Sequence, residues 1–166
     1  SQLGDCWIYD DAVVRDNAKV CHNAQIYDKV IVMGNAEVCD NAQVCDNAFV
    51  LDNAQVCDNA FVLDNAIVCD NARIRGHAVV QHDAVVRGNA QICGDAMISS
   101  DKDYIVFKNW WSSGRFFTWT RSNNMWKVGC FYGSGEKLIA KAYKDSEESG
   151  REYECIVKYV ERILNS

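Results

Sequence analysis

Three histidines, nine cysteines and a regular series of aspartates are the residues of this chain whose types and spacing could do chemistry. His77 and His82 stand five apart in Gly76-His77-Ala78-Val79-Val80-Gln81-His82, a pair whose ring nitrogens could hold zinc. Cys21, Cys39, Cys45, Cys57, Cys69 and Cys93 differ by multiples of six and carry no Cys-x-x-Cys spacing. They read as small strand residues, because a thiol metal site needs His or Cys converging from elsewhere. Asp10, Asp28, Asp46 and Asp64 recur every eighteen residues, with His82 completing the series. A calcium ladder is the lesser alternative for them; local hydrogen bonds from Asp side chains to turn amides are the expected relief of like-charge repulsion. Cys130 could be a nucleophile, but no His follows residue 100 to activate it.

The elements that must position these groups are unusually regular. Ala12, Ala18 and Ala24 begin a series that resumes at Ala36 and runs every six residues to Ala96, with Val30 in the gap and Cys6 upstream. Two residues after each comes a branched aliphatic, from Ile8 and Val14 to Ile92 and Ile98, and Asp-Asn most often fills the rest. The unit is Ala-x-Val-x-Asp-Asn, repeated without insertion. A period of six would smear over every face of an α-helix. Val and Ile favour strands, whereas Asp and Asn favour turns and Asn tolerates left-handed backbone angles. Each hexad is therefore a short strand and a corner, with Ala and Val pointing inward. Parallel coils then stack at the ~4.8 Å spacing of neighbouring strands, each burying what the last exposed.

This pattern over residues 6–98 resembles the hexapeptide-repeat family, whose left-handed β-helix has three hexads per triangular coil. The opening Ser1-Gln2-Leu3-Gly4-Asp5-Cys6-Trp7-Ile8-Tyr9-Asp10 resembles the lead-in of bacterial and phage proteins labelled acetyltransferases, which usually carry more sequence upstream. The resemblance implies acyl transfer by a trimer, with a catalytic His and acyl-coenzyme A between prisms. Only His22, His77 and His82 are available for it, and no loop interrupts the hexads to build a pocket. The His-x4-His spacing is similar to the zinc pair of γ-class carbonic anhydrases, whose fold is the same. There the first His sits two places after the inward aliphatic and the second sits one place after. Here His77 is three places after Ile74 and His82 two after Val80. The pair is shifted into corners, and Asn41 and Asn59 stand below His77 where a third ligand would be needed.

With eighteen residues per coil, residues eighteen apart share a face. Lys19, Glu37, Gln55, Arg73 and Gln91 make one wall polar, flanked by Cys21, Cys39, Cys57 and Cys93, with Arg75 breaking that ladder. A second wall carries Val13, Ile31, Phe49, Ile67 and Val85, beside Arg15, Met33, Leu51, Cys69 and Arg87. An outward apolar stripe of this length is rarely left uncovered. Self-association through Val13, Ile31, Met33, Phe49, Leu51, Ile67 and Val85 is the first expectation, ahead of covering by the C-terminal segment or a foreign protein. The third wall is mixed: Trp7, Gln25, Gln43, Phe61, Val79 and Met97 beside Tyr9, Tyr27, Cys45, Leu63, Gln81 and Ser99.

After residue 100 the period stops and the composition changes. Strands are expected over 104–109, 115–121 and 125–131, then helices over 136–144 and 152–164. This small domain should cover the last coil, whose open edge would invite aggregation. Phe117-Thr118-Trp119-Thr120-Arg121 followed by Val128-Gly129-Cys130-Phe131 resembles a small domain recurring in phage and prophage proteins. Trp110, Trp111, Trp119 and Arg121 are candidates for binding a partner, since aromatics and Arg dominate hot spots; a compact aromatic core competes for the tryptophans.

The chain thus reads as mainly β: a left-handed parallel β-helix of about five triangular coils over 1–100, then a small α+β domain over 101–166. A net charge of −6 argues against a duplex nucleic-acid partner. No apolar run reaches the length of a membrane span, and the opening Ser1-Gln2-Leu3-Gly4-Asp5 does not read as a signal peptide. Nine cysteines without pairing logic suit a reducing cytoplasm. Threonine occurs only at 118 and 120, which excludes a regular ice-binding array on the prism. No cofactor or metal is expected. The leading expectation is a non-catalytic binding or scaffolding protein of phage or prophage origin. It would assemble as a dimer or trimer and engage a host protein, with inhibition of a host defence system as one role. An acyltransferase using acyl-coenzyme A is the alternative.

Overall fold

A computed structural model describes residues 2–110 and 113–164. The hexads form a mainly β, parallel β-solenoid of about five turns, with three sheets of six, six and five two- or three-residue strands. Partners lie eighteen residues apart throughout: Val13 pairs Ile31, Phe61 pairs Val79, and Arg73 pairs Gln91. An N–H of each coil donates to a carbonyl of the next, as in Phe49 N to Ala66 O at 2.9 Å and Leu51 N to Val68 O at 2.9 Å. The inward Ala and Val/Ile from Ala18 to Ile98 form one buried column. A small residue, Ala at most coils, lines the corner side of each strand, with Val30 and Cys6 taking the same place, and the branched aliphatic fills the centre.

The corners divide their work differently from the expectation. The left-handed angle falls on the Asp and not on the Asn after it: Asp46, Asp52 and Asp64 have φ of 61°, 59° and 60°. Each such Asp uses its carboxylate on a backbone N–H one coil on, and Asp40 and Asp46 also accept from the thiol just before them. Asp64 N–H donates to Asp46 Oδ2 at 3.1 Å, and His82 N–H donates to Asp64 Oδ2 at 2.8 Å. The carboxylate column is therefore interleaved with N–H dipoles, which offsets its self-repulsion. The following Asn side chains form amide ladders, Asn17 to Asn35 to Asn53 and Asn23 to Asn41 to Asn59, at 3.1–3.2 Å.

The chain then turns through a 3₁₀ segment, Asp101–Asp103, capped by Ser100, into a four-stranded antiparallel sheet. Its strands are Tyr104–Lys108, Phe116–Thr120, Met125–Val128 and Phe131–Gly133. The expected third strand is split by a two-residue turn at Gly129 (φ 54°) and Cys130, which makes the fourth. Helices α1 (Gly135–Asp145) and α2 (Glu147–Leu164) cover the sheet. The second helix starts earlier than expected: Glu147 and Glu148 favour its positive end, and Gly150 permits close approach, since a Cβ there would overlap the Tyr143 ring. Phe117, Trp119, Trp126 and Val128 pack with Leu138, Val157 and Val160.

This domain closes the last coil, whose N–H groups have no further coil to meet. Gln91 N–H donates to Thr118 Oγ1 at 3.0 Å, Met97 N–H to Ser122 Oγ at 2.7 Å, and Arg87 N–H to the Tyr104 hydroxyl at 3.3 Å. The Tyr104 hydroxyl donates to Val85 O at 3.0 Å and that of Tyr132 to Cys93 O at 3.1 Å. Tyr104 and Val106 pack against the solenoid core itself. Gly94 is what lets Tyr132 in, because a Cβ there would overlap the Tyr132 hydroxyl; at Gly88 a Cβ meets open space.

Restoring the repeat's own aspartate therefore has opposite consequences at the two glycines, although both have positive φ. Gly94→Asp should destabilise the protein by about 1–3 kcal/mol through forced displacement of Tyr132. Gly88→Asp should stay within about 0.5 kcal/mol of the wild type. Urea unfolding followed by tryptophan fluorescence measures both; equal midpoints for the two variants would remove Tyr132 as a docking anchor.

Candidate functional site

The apolar wall is assembled by register alone. Val13, Ile31, Phe49, Ile67 and Val85 are consecutive partners in the five-stranded sheet. All point outward, since Val14, Val32, Val50, Val68 and Val86 beside them point in. Val13 is 45% exposed at the first coil, whereas the others are half-buried by the neighbours stacked above and below. Met33 and Leu51, half-buried too, widen the wall, with the Arg15 guanidinium laid against the Met33 sulfur. The hydrogen bonds docking the C-terminal domain fall on Val85, Arg87, Gln91, Cys93 and Met97, in the last coil, so they meet this wall only at its Val85 end.

The polar wall holds a second arrangement. Cys21 Sγ, Cys39 Sγ and a Glu37 carboxylate oxygen lie within 4.8 Å of one another, as do Cys39 Sγ, an Asp40 carboxylate oxygen and Cys57 Sγ. Glu37 opens a strand that ends at Val38, Cys39 follows it directly two places on and shares its outer face, and Cys21 and Cys57 arrive from the coils on either side. The sulfur donors converge from neighbouring coils. The signal of this convergence was present as Cys at an eighteen-residue spacing with Glu two places before the middle one. The Cys39–Cys57 thiol hydrogen bond raises Cys39 and lowers Cys57, whose thiolate is also favoured by the Arg75 guanidinium. Burial, then Glu37 and Asp40, push the Cys21 thiol up. Asp52, Cys69 and Asp70 form a third, more exposed cluster.

The remaining candidates fall as follows. His77 and His82 occupy exposed corners, as their register requires, and His82 takes the left-handed angle at φ 58°. His22 Nδ1 lies 3.2 Å from Asp40 Oδ1 with both side chains open to solvent, so the pair contributes little to stability. On the third wall Tyr9 and Tyr27 stack with ring centroids 5.2 Å apart, beside Trp7 at 65% exposure. Of the partner-binding candidates in the C-terminal domain, Trp119 is 2% exposed and belongs to the core, its indole N–H donating to Asn124 Oδ1 at 2.9 Å. The strand alternation that buries Phe117 buries it as well. Trp110 and Arg121 are exposed, and Trp111 lies outside the described residues. No helix among the described residues is long and apolar enough to cross a membrane.

Fold and repeat together define a β-solenoid protein of the repeat β-helix kind. The family model described as the YdcK beta solenoid repeat matches residues 54–70, about one coil, and the chain is similar to that repeat there. No curated protein and no solved structure matches the chain.

Burial holds the Cys45 thiol, beside Tyr27 on the third wall, up at about 11 against an ordinary 9.0. Below that range its thiolate fraction is about a hundredfold lower than that of an ordinary thiol. Alkylation mapped by peptide mass at about pH 8 should therefore modify exposed Cys130 and Cys155 first and Cys45 late. The Cys45 rate should climb as pH rises toward 11. Early modification of Cys45 would contradict its burial.

Proposed function

We propose that this solenoid is a non-catalytic binding and scaffolding protein that assembles side by side through the wall of Val13, Ile31, Met33, Phe49, Leu51, Ile67 and Val85. The observation that supports this most is the continuity of that wall: five registered coils place an apolar side chain at the same outward position. Withdrawal of each large apolar side chain from water contributes ~1.5–3 kcal/mol when complete, and about half of that for the half-buried ones here. A straight prism repeats its surface along the axis, so a parallel or antiparallel copy meets the whole wall at once. Dimer and trimer both satisfy this geometry.

Assembly through one wall leaves the C-terminal domain at the end of the prism available to a further protein, with exposed Trp110 and Arg121 as its candidate contacts. A host protein as that partner, a phage or prophage origin, inhibition of a defence system and a cytoplasmic setting rest on the sequence resemblance and the nine free thiols.

Light scattering on the wild type and on the Phe49→Asp, Leu51→Asp double variant tests the assembly. The wild type should show two or three times the monomer mass, and the variant the monomer mass with unchanged circular dichroism. A monomeric wild type would overturn self-association. An oligomer that the double variant leaves intact would move the interface to another wall.

A further inference from the structure

We propose that the thiol ladder of the polar wall is a binding site for a thiophilic d¹⁰ divalent cation of the zinc class, held by Cys21 Sγ, Cys39 Sγ and the Glu37 carboxylate. The three donors already lie within 4.8 Å of one another. A tetrahedral zinc ion with two thiolates at their usual bond length needs them about 3.7 Å apart, so rotation of the side chains suffices and the backbone stays in place. Two soft sulfurs select a zinc-class ion over calcium or magnesium, which take oxygen donors. Binding exchanges two thiol protons for the cation: two S–H bonds break, two metal–sulfur bonds form, and two protons leave to solvent. The fourth position faces outward, open to water.

Glu37 is favoured over Asp40 as the carboxylate ligand by their existing partners. Asp40 accepts the Asp58 N–H at 3.2 Å through Oδ2 and faces His22 through Oδ1, both parts of the corner. Among the described residues the Glu37 carboxylate accepts from Gln55 Nε2 at 3.4 Å, and Gln55 in turn accepts from Arg75 at 3.4 Å. That chain can orient Glu37 toward the sulfurs without occupying both its oxygens. Cys57 stands one coil beyond Cys39, and Arg75 then ends the ladder; the set of Cys39, Asp40 and Cys57 shares Cys39 with this one, so the column takes one ion at a time. The site lies on a different wall from the apolar stripe, and its test is independent of assembly.

Titration of the fully reduced protein with Co²⁺ reads the site directly through sulfur-to-cobalt charge transfer and tetrahedral d–d absorption. Saturation at one equivalent, with displacement by Zn²⁺, is the expected result. Cys39→Ser should abolish the charge-transfer band. Glu37→Gln should keep the band but weaken affinity about tenfold or more. Cys130→Ser with Cys155→Ser should change nothing. A wild type without charge transfer overturns the proposal, as does a band that survives Cys39→Ser or disappears with the two exposed cysteines. Should Cys39→Ser fail to fold, alkylation of the wild type decides: Zn²⁺ should protect Cys21 and Cys39, and unprotected thiols would overturn the site.

Discussion

Backbone hydrogen bonds between coils, each N–H reaching a carbonyl about one turn further along the chain, set everything else in this molecule. They run from 2.6 Å at Asn35 to 3.2 Å at Tyr27 over five turns, with 2.9 Å at Gln25, Cys39, Gln55 and Arg75. Their condition is that every coil has the same length, so a single inserted residue would turn inward side chains outward from that point. A chain obeying that condition stacks identical positions in columns. Ala columns make the corners of the core, Val and Ile columns its centre, and Asn and Asp columns the edges.

Stacking like on like turns ordinary residues into extended surfaces. One outward Phe on a globular protein needs no explanation, but Phe49 between Ile31 and Ile67 becomes part of a continuous apolar wall. One half-buried Cys is a small hydrophobe, but Cys39 between Cys21 and Cys57 becomes a donor set. One Asp at positive φ carries local strain; a column of them carries repulsion too, which the interleaved N–H groups relieve. The chemistry of the prism thus belongs to its columns more than to its individual residues.

An open solenoid end would leave a row of unsatisfied donors, and the C-terminal domain meets that need with side-chain oxygens from Tyr104, Thr118 and Ser122. Strand spacing alone fixes where those oxygens must be. The departure from the repeat at Gly94 is the cost of admitting Tyr132, and it marks where a periodic sequence gives way to a globular one. Trp119 and Trp126 serve the core of this domain, both 2% exposed, whereas Trp110 is 83% exposed.

Residues 6–98 announced their own fold, because a six-residue period with Ala and Val in fixed places allows one economical arrangement and names every inward side chain. The three walls, the corner positions of His77 and His82, and the apolar stripe followed from counting by eighteen. What counting could not supply was the use made of each column. The corner residue takes the left-handed angle whether it is Asp, His or Gly, and where it is Asp its carboxylate also reaches the next coil's N–H, a contact no local rule contains. Glu37 and Asp40 meet the thiols because the eighteen-residue spacing stacks the cysteines and side-chain reach then brings the carboxylates to them. In the C-terminal domain, where no period exists, Trp119 went inside and the second helix started at Glu147 because close packing against Tyr143 and the sheet decided both. Periodicity carries a fold in one dimension; packing between unlike elements has to be decided in three.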